Sequence, residues 1–276
     1  MAWQVRKRAS TRPRRITYAG FQLACWPDSQ SASNIFYFTH RFDHHEMAFL
    51  ERYLRPGDRA LDIGANIGTY SLLMASLVGP EGHIDAFEPM PLAASRLRCT
   101  IAENGLEGRI TLHEAAVTDR TGSARLLTAH DVSNAVVGHP DGAPIDAGAG
   151  EPTIEVATVT LDQVVAPDPR LRVAKLDIEG AEVLALAGAP ALLAAARPPV
   201  WITEAYDWQL AKLGSSAEAL VAAFSEAGFD LHRFDADLGL LAPLSLDEVG
   251  THNVLFIHRL HLEEVGVRAR CDVAVP

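Results

Sequence analysis

The sequence predicts an α/β protein built on a doubly wound, mostly parallel sheet, and three observations carry that expectation. Short apolar runs of strand type alternate with helical runs across most of the chain. The first such strand passes into its helix through a glycine-rich turn, Asp62-Ile63-Gly64-Ala65-Asn66-Ile67-Gly68. With 276 residues, 48% of them hydrophobic and 21% charged, the chain can bury one sizeable core, so one large domain is expected.

Taken in order, the first fifteen residues carry Arg6, Lys7, Arg8, Arg12, Arg14 and Arg15 with no acidic residue among them. They are expected to form a frayed basic tail, residues 1–15. No apolar segment follows that would make them a signal, and no run reaches the roughly 18 apolar residues of a membrane span. Residues 16–54 form a cap segment. Ile16, Tyr18, Phe21 and Leu23 alternate in strand fashion, and Met47, Phe49, Leu50, Tyr53 and Leu54 fit a helix that Arg55-Pro56-Gly57-Asp58 stops. The main domain is expected over 55–260.

After the glycine turn a helix runs from Tyr70 to Val78 and a second strand from His83 to Phe87, closed by Glu88-Pro89. Strand, helix and strand at this spacing make a βαβ unit, whose crossover is expected to leave the two strands parallel. A helix over Leu92 to Asn104 stops at Gly105, and Ile110 to Val117 reads as a third strand. The rhythm then breaks. An insertion at about 121–160 holds two strands, Ala124 to Leu127 and Ile154 to Val159, around a loop from Gly138 to Pro152 without apolar period, expected to be a lid or disordered. Alternation resumes with a strand to Ile178, a helix over Glu182 to Leu193, a strand over Val200 to Ala205 and a helix over Ala217 to Ala227. Phe229 to Phe234 and Val254 to His258 lack a convincing helix between them and are expected to pair antiparallel. Residues 261–276 read as a tail.

The glycine turn is a ligand site of one of two kinds, for a dinucleotide or for S-adenosylmethionine. A dinucleotide fingerprint places a second glycine where the pyrophosphate meets the backbone, whereas this chain has Asn66 there. Asp62-x-Gly64-x-Asn66-x-Gly68 suits a ligand whose charges are an ammonium, a carboxylate and a sulfonium. Asp62 would offset the positive charge, and Glu88 at the end of the second strand would accept the ribose hydroxyls. Gly64, Ala65, Asn66 and Gly68 complete the expected cofactor loop, and small Ala116, at the end of the third strand, would leave room for adenine.

Four stretches together resemble the FkbM family of S-adenosylmethionine-dependent methyltransferases. They are Leu61-Asp62-Ile63-Gly64-Ala65-Asn66-Ile67-Gly68, Phe87-Glu88-Pro89, Thr160-Leu161-Asp162, and Lys175-Leu176-Asp177-Ile178-Glu179-Gly180-Ala181-Glu182. The resemblance spans roughly residues 45–258. It implies the Rossmann-like class I methyltransferase sheet of seven strands with its last pair antiparallel, and transfer to a hydroxyl of a sugar, glycan or polyketide-type metabolite. It does not name the acceptor.

Asp177 and Glu179 end a strand on the same side by the two-residue period and are the foremost catalytic candidates, either one a possible general base. Glu204, at the end of the next strand, and His45, in the cap segment, are further catalytic candidates. Lys175 and Asn134 are expected to contact the acceptor. Asp177, Glu179 and Glu204 could share a Mg²⁺ ion, but no metal is assigned. The net charge of −11 argues against nucleic acid and anionic membrane as partners. Cys25, Cys99 and Cys271 lack metal or redox spacing and suit a reducing, cytoplasmic compartment. Two other classes fit the same residues: an inactive nucleoside-binding protein, and an RNA or protein methyltransferase guided by the basic tail.

Overall fold

The structure is a computed structural model that describes residues 11–37, 42–128, 152–249 and 253–273. Asn134 and most of the loop expected over 138–152 lie outside the described residues. Among the described residues, no helix is long and apolar enough to cross a membrane.

The chain opens with a hairpin, β1 (Arg14–Tyr18) and β2 (Phe21–Cys25), followed by α1 (Gln30–Tyr37) and α2 (His44–Tyr53). The basic stretch therefore stops being a tail at Arg14, and Arg15 forms an ion pair with Glu103. Next come β3 (Arg59–Ile63), α3 (Thr69–Val78), β4 (His83–Phe87), α4 (Pro91–Glu103) and β5 (Ile110–His113). The three strands are parallel and in the expected succession.

The third strand ends earlier than expected, at His113. Ala116 and Val117 form a separate strand, β6, that pairs parallel with β8 (Thr153–Val159), while β7 (Gly122–Leu127) pairs antiparallel with β8. The insertion thus builds a second, three-stranded sheet beside the main one. The short helix α5 (Leu161–Val164) leads to β9 (Leu171–Leu176). The single helix expected over Glu182 to Leu193 is two, α6 (Glu182–Ala187) and α7 (Pro190–Leu193). The break falls at Gly188, where a Cβ would lie 2.2 Å from the carbonyl oxygen of Thr118. Asp162 of the Thr-Leu-Asp stretch caps the second piece, accepting the backbone N–H groups of Ala191 (2.6 Å) and Leu192 (3.2 Å). That family stretch is a clamp in the fold.

β10 (Val200–Thr203), α8 (Asp207–Leu210), α9 (Ala217–Glu226), β11 (Phe229–Asp235), β12 (Leu240–Pro243) and β13 (Val254–His258) follow. Residues 262–273 are not a tail. They form α10 (Leu262–Ala269), whose Val265 and Ala269 join the core, and β14 (Asp272–Val273), which pairs with β12.

The main sheet runs β14-β12-β11-β13-β10-β9-β3-β4-β5. Its seven strands from β11 to β5 are those expected, and β13 runs antiparallel to both neighbours. β12 and β14 add two short strands at one edge. The central strands β10 and β3 are buried almost throughout, because helices cover both faces. This leaves the C-terminal ends of β3, β4, β9 and β10 as the open crevice, next to the point where strand order reverses.

The N-terminal cap is anchored on α4. Buried Arg96 lies over the Trp26 ring, 4.7 Å from its centroid, and donates to both carboxylate oxygens of Asp28 at 2.9 and 2.7 Å. Asn104 exchanges two hydrogen bonds with the backbone of Gln22. Asp28 is largely exposed, so solvent screens its ion pair. Arg96→Ala is expected to cost about 1–2 kcal/mol, chiefly through the lost stacking and packing. Limited proteolysis should then cut ahead of residue 42 faster than in the wild type.

Candidate active site

The turn after β3 is shaped by three residues in the left-handed region: Gly64 at φ +88°, Asn66 at +49° and Gly68 at +91°. The N–H groups of Gly64 and Ala65 both donate to the carbonyl oxygen of Phe87, at 3.0 and 2.9 Å, which ties the turn to the end of β4. Gly64 is required by the other neighbour. A Cβ there would sit 1.8 Å from the carbonyl oxygen of Asp177, beyond the end of β9. Asn66 tolerates its conformation because its side chain bonds locally, Oδ1 accepting from the Ile67 N–H at 2.8 Å. Gly68 starts α3 and packs against Leu97, which a Cβ would approach to 2.4 Å. Gly64, Ala65 and Asn66 line the cavity in front of the turn; Gly68 does not, and its place is helix packing rather than the cavity wall.

That cavity has a volume of about 510 Å³, within the ~300–1,000 Å³ of small-molecule sites. Asp62, on β3, is fully buried at one side of it. Its Oδ2 accepts from the Ser71 hydroxyl at 2.5 Å, while Oδ1 has no hydrogen-bond partner. Burial pushes the Asp62 pKa up, against the pull of Lys175. Glu88 accepts the N–H groups of Asn66 and Met90, one on each oxygen, both at 2.8 Å. A carboxylate offers about four lone-pair sites, so two remain for a ligand. Burial raises Glu88 to about 7. Ala115, Ala116 and Val117 provide a wall of small side chains, although they belong to β6 and its approach rather than to the third strand.

Acids gather where β9 and β10 end. β9 stops at Leu176, so the two-residue period does not aim Glu179; a left-handed conformation at φ +59° does. The loop that allows this is held by Glu182, whose Oε1 accepts from the N–H groups of Ile178 (3.1 Å) and Gly180 (3.2 Å). The side-chain amide of Gln209 donates to Glu179. Carboxylate oxygens of Asp177, Glu179 and Glu204 lie within 4.8 Å of one another, close enough for a cation to be shared. Burial first, and then the charge of Asp177, raise Glu179 to about 7 and Glu204 to about 9. One oxygen of Glu204 is buried without a partner.

Lys175 is buried beneath this group and donates to Asp177 at 2.8 Å, with its Nζ 4.8 Å from the centroid of the Tyr70 ring. Burial alone would lower its pKa; Asp177 and Asp62 reverse that, and it is raised. The sequence reading missed Asp43 and Tyr70, which both line the cavity. Tyr70 directly follows the glycine turn at the start of α3, which was the available signal. His45, also in the cap, does not line the cavity: its Nδ1 accepts the N–H of Ala236 at 3.0 Å.

The site can therefore take a cation-bearing nucleoside between Asp62 and Glu88 and present carboxylates to a second molecule. A family model described as the methyltransferase FkbM domain matches residues 62–231. Among curated relatives, 31-O-demethyl-FK506 methyltransferase FkbM of Streptomyces tacrolimicus is 38% identical over 90 residues, covering 33% of this chain and 34% of that protein. A protein-L-isoaspartate O-methyltransferase of Triticum aestivum is 36% identical over 111 residues, covering 39% and 43%. The chain thus spans less than half the length of these relatives. A solved structure of methyltransferase FkbM from Methylobacillus flagellatus aligns with a TM-score of 0.44 at 16% identity, over 82% of this chain and 54% of that one. The family model covers more than half of the chain, from the glycine turn to β11 with both acidic strand ends between, and the chain belongs to the FkbM methyltransferase family.

Proposed function

We propose that this chain binds S-adenosylmethionine and transfers its methyl group to a hydroxyl of a small molecule, a sugar, a glycan or a natural product of polyketide type. The observation that carries the reading is the unpartnered Oδ1 of Asp62, fully buried beside the glycine turn in the same cavity as Glu88. A buried carboxylate oxygen without a donor is costly, and a ligand ammonium or sulfonium removes that cost. In this reading Asp62 balances the cofactor's positive charge, Glu88 takes the ribose hydroxyls on its two remaining lone pairs, and Ala116 faces the adenine. Gly64, Ala65 and Asn66 form the floor. When bound, the cofactor supplies an activated methyl group on its sulfonium sulfur.

The chain's own work is to align and to accept a proton. An in-line displacement breaks the S–CH₃ bond as the O–CH₃ bond forms, so holding the acceptor oxygen in line contributes directly to the rate. The hydroxyl proton passes to a carboxylate. Burial and the charge of Asp177 raise both Glu179 and Glu204 above the ordinary carboxylate range, so with Asp177 they act as one proton-accepting cluster. Lys175 holds Asp177 in place.

The acidic end also argues for a hydroxyl over a carboxylate as acceptor. An isoaspartate side chain is itself an anion, and Asp177, Glu179 and Glu204 would repel it. Calorimetry with S-adenosylhomocysteine and, separately, with NAD tests the cofactor. The expected result is binding of the first alone; binding of NAD alone would sink the proposal.

A further inference from the structure

The N-terminal cap turns a polar helix face into the cavity. α1 buries Ala32 and Ile35 in the core. Ser31 and Asn34, three residues apart on one face of the helix, are half-buried and line the cavity, as does Asp28 just ahead of them. The family match begins only at residue 62, so none of these side chains belongs to the matched region.

Sheet order decides which end of the cavity they serve. β4 and β5 lie to one side of β3, and β9 and β10 to the other. Glu88 and the small residues Ala115 to Val117 therefore stand at one end, and Asp177, Glu179 and Glu204 at the other. α4 connects β4 to β5, and its Arg96 holds Asp28. The first turn of α4 lines the cavity too, at Leu92 and Ala93. α1 thus starts over the Glu88 end, away from the acids.

That end is short of side chains for a nucleobase. Ala115, Ala116 and Val117 give it an apolar wall, and the free lone pairs of Glu88 suit a ribose. Asp28 is committed to Arg96, and the Thr128 hydroxyl donates to the carbonyl oxygen of Pro152 at 3.0 Å. Among the described residues, the side chains of Ser31 and Asn34 have no hydrogen-bond partner. A hydroxyl and an amide offer donors and acceptors together, which is what the amine and ring nitrogens of adenine require.

Resting on the methyltransferase reading, we propose that Ser31 and Asn34 bind the nucleoside of S-adenosylmethionine, which makes α1 of the cap part of the cofactor site. The two side chains bond to the polar edge of adenine while Glu88 holds the ribose. Arg96, through Asp28, positions the helix that carries them.

Calorimetry on the full chain tests this with two probes, S-adenosylhomocysteine and 5′-methylthioadenosine, which keeps the nucleoside but lacks the amino acid. Ser31→Ala and Asn34→Ala are each expected to weaken both probes by about 3–10-fold, the worth of one neutral hydrogen bond. Neither side chain is bonded in the ligand-free protein, so without probe the melting temperature should stay within about 2 °C of the wild type. Affinity unchanged in either variant would overturn the proposal. So would a loss confined to S-adenosylhomocysteine, which would put the side chains at the amino acid instead, or a weakening matched by a larger fall in the probe-free melting temperature, which would make their role structural. The wild type separates the two levels. Binding of both probes by the wild type and equally by the variants removes this inference alone; absent binding in the wild type removes the methyltransferase reading and this inference with it.

Discussion

Gly64→Ala is expected to lower the melting temperature by about 5–20 °C and to abolish binding of S-adenosylhomocysteine. Two costs add. At φ +88° an alanine is strained by about 1–2 kcal/mol. Its Cβ would also lie 1.8 Å from the carbonyl oxygen of Asp177, a backbone atom that cannot rotate away, and overpacking of that kind costs about 1–3 kcal/mol. The sum, about 2–5 kcal/mol, converts at about 2–4 °C per kcal/mol in a chain of this size. The damage reaches both halves of the site, because the Asp177 N–H donates to the Ile63 carbonyl at 3.0 Å and the two loops move together. Gly105→Ala is the control. It has a positive φ of +62° and open space within 4 Å, so strain alone acts, at about 1 kcal/mol. Differential scanning calorimetry of the two variants decides the matter: equal losses would mean that close approach at Gly64 counts for nothing.

That glycine shows what a sequence makes legible and what it hides. Its position at a strand-to-helix turn was readable from the flanking apolar runs, and with it the placement of Asp62 and Glu88. The pressure on it was not, since the atom it avoids belongs to Asp177, far along the chain. Glu179 was likewise found for a different reason, through the two-residue period of a strand that in fact ends at Leu176. Its left-handed backbone depends on Glu182 holding two N–H groups, a loop geometry that no periodicity encodes. Where local pattern is the same on both sides of a break, as at His113 and Ala116, only a partner strand distant in sequence reveals the break. In the cap, His45 was singled out at the start of a helical turn, and Asp43, two residues before it, was not. Chemistry favoured a histidine, and tertiary packing turned His45 away and Asp43 inward.

Glu204→Gln is expected to stabilise the ligand-free protein while disabling it. The Glu204 carboxyl is raised from an ordinary 4.5 to about 9, first by burial and then by Asp177 and Glu179. The folded state therefore keeps its proton where the unfolded chain has lost it. The stability this contributes is full below pH 4.5, declines above it, and is gone once the pH has risen through about 9. Glu179, raised to about 7, adds a decline of the same sign that ends earlier. Wild-type stability should thus fall from pH 5 to 9. Glutamine has no proton to lose and adds no charge to the cluster, so the variant should hold its melting temperature better. The gap should reach about 2 kcal/mol, or about 4–8 °C, at pH 9, less than full linkage because the neighbouring carboxylates share the protons. Scanning fluorimetry across that range is the check, and parallel curves for the two proteins would refute the argument. Methyl transfer should fall by about 10²–10⁴ in the same variant if the cluster takes up the acceptor's proton as one unit. A stabilising substitution that removes activity is what a site strained for function predicts, because the repulsion among these three carboxylates is useful only when a positively charged ligand arrives to relieve it.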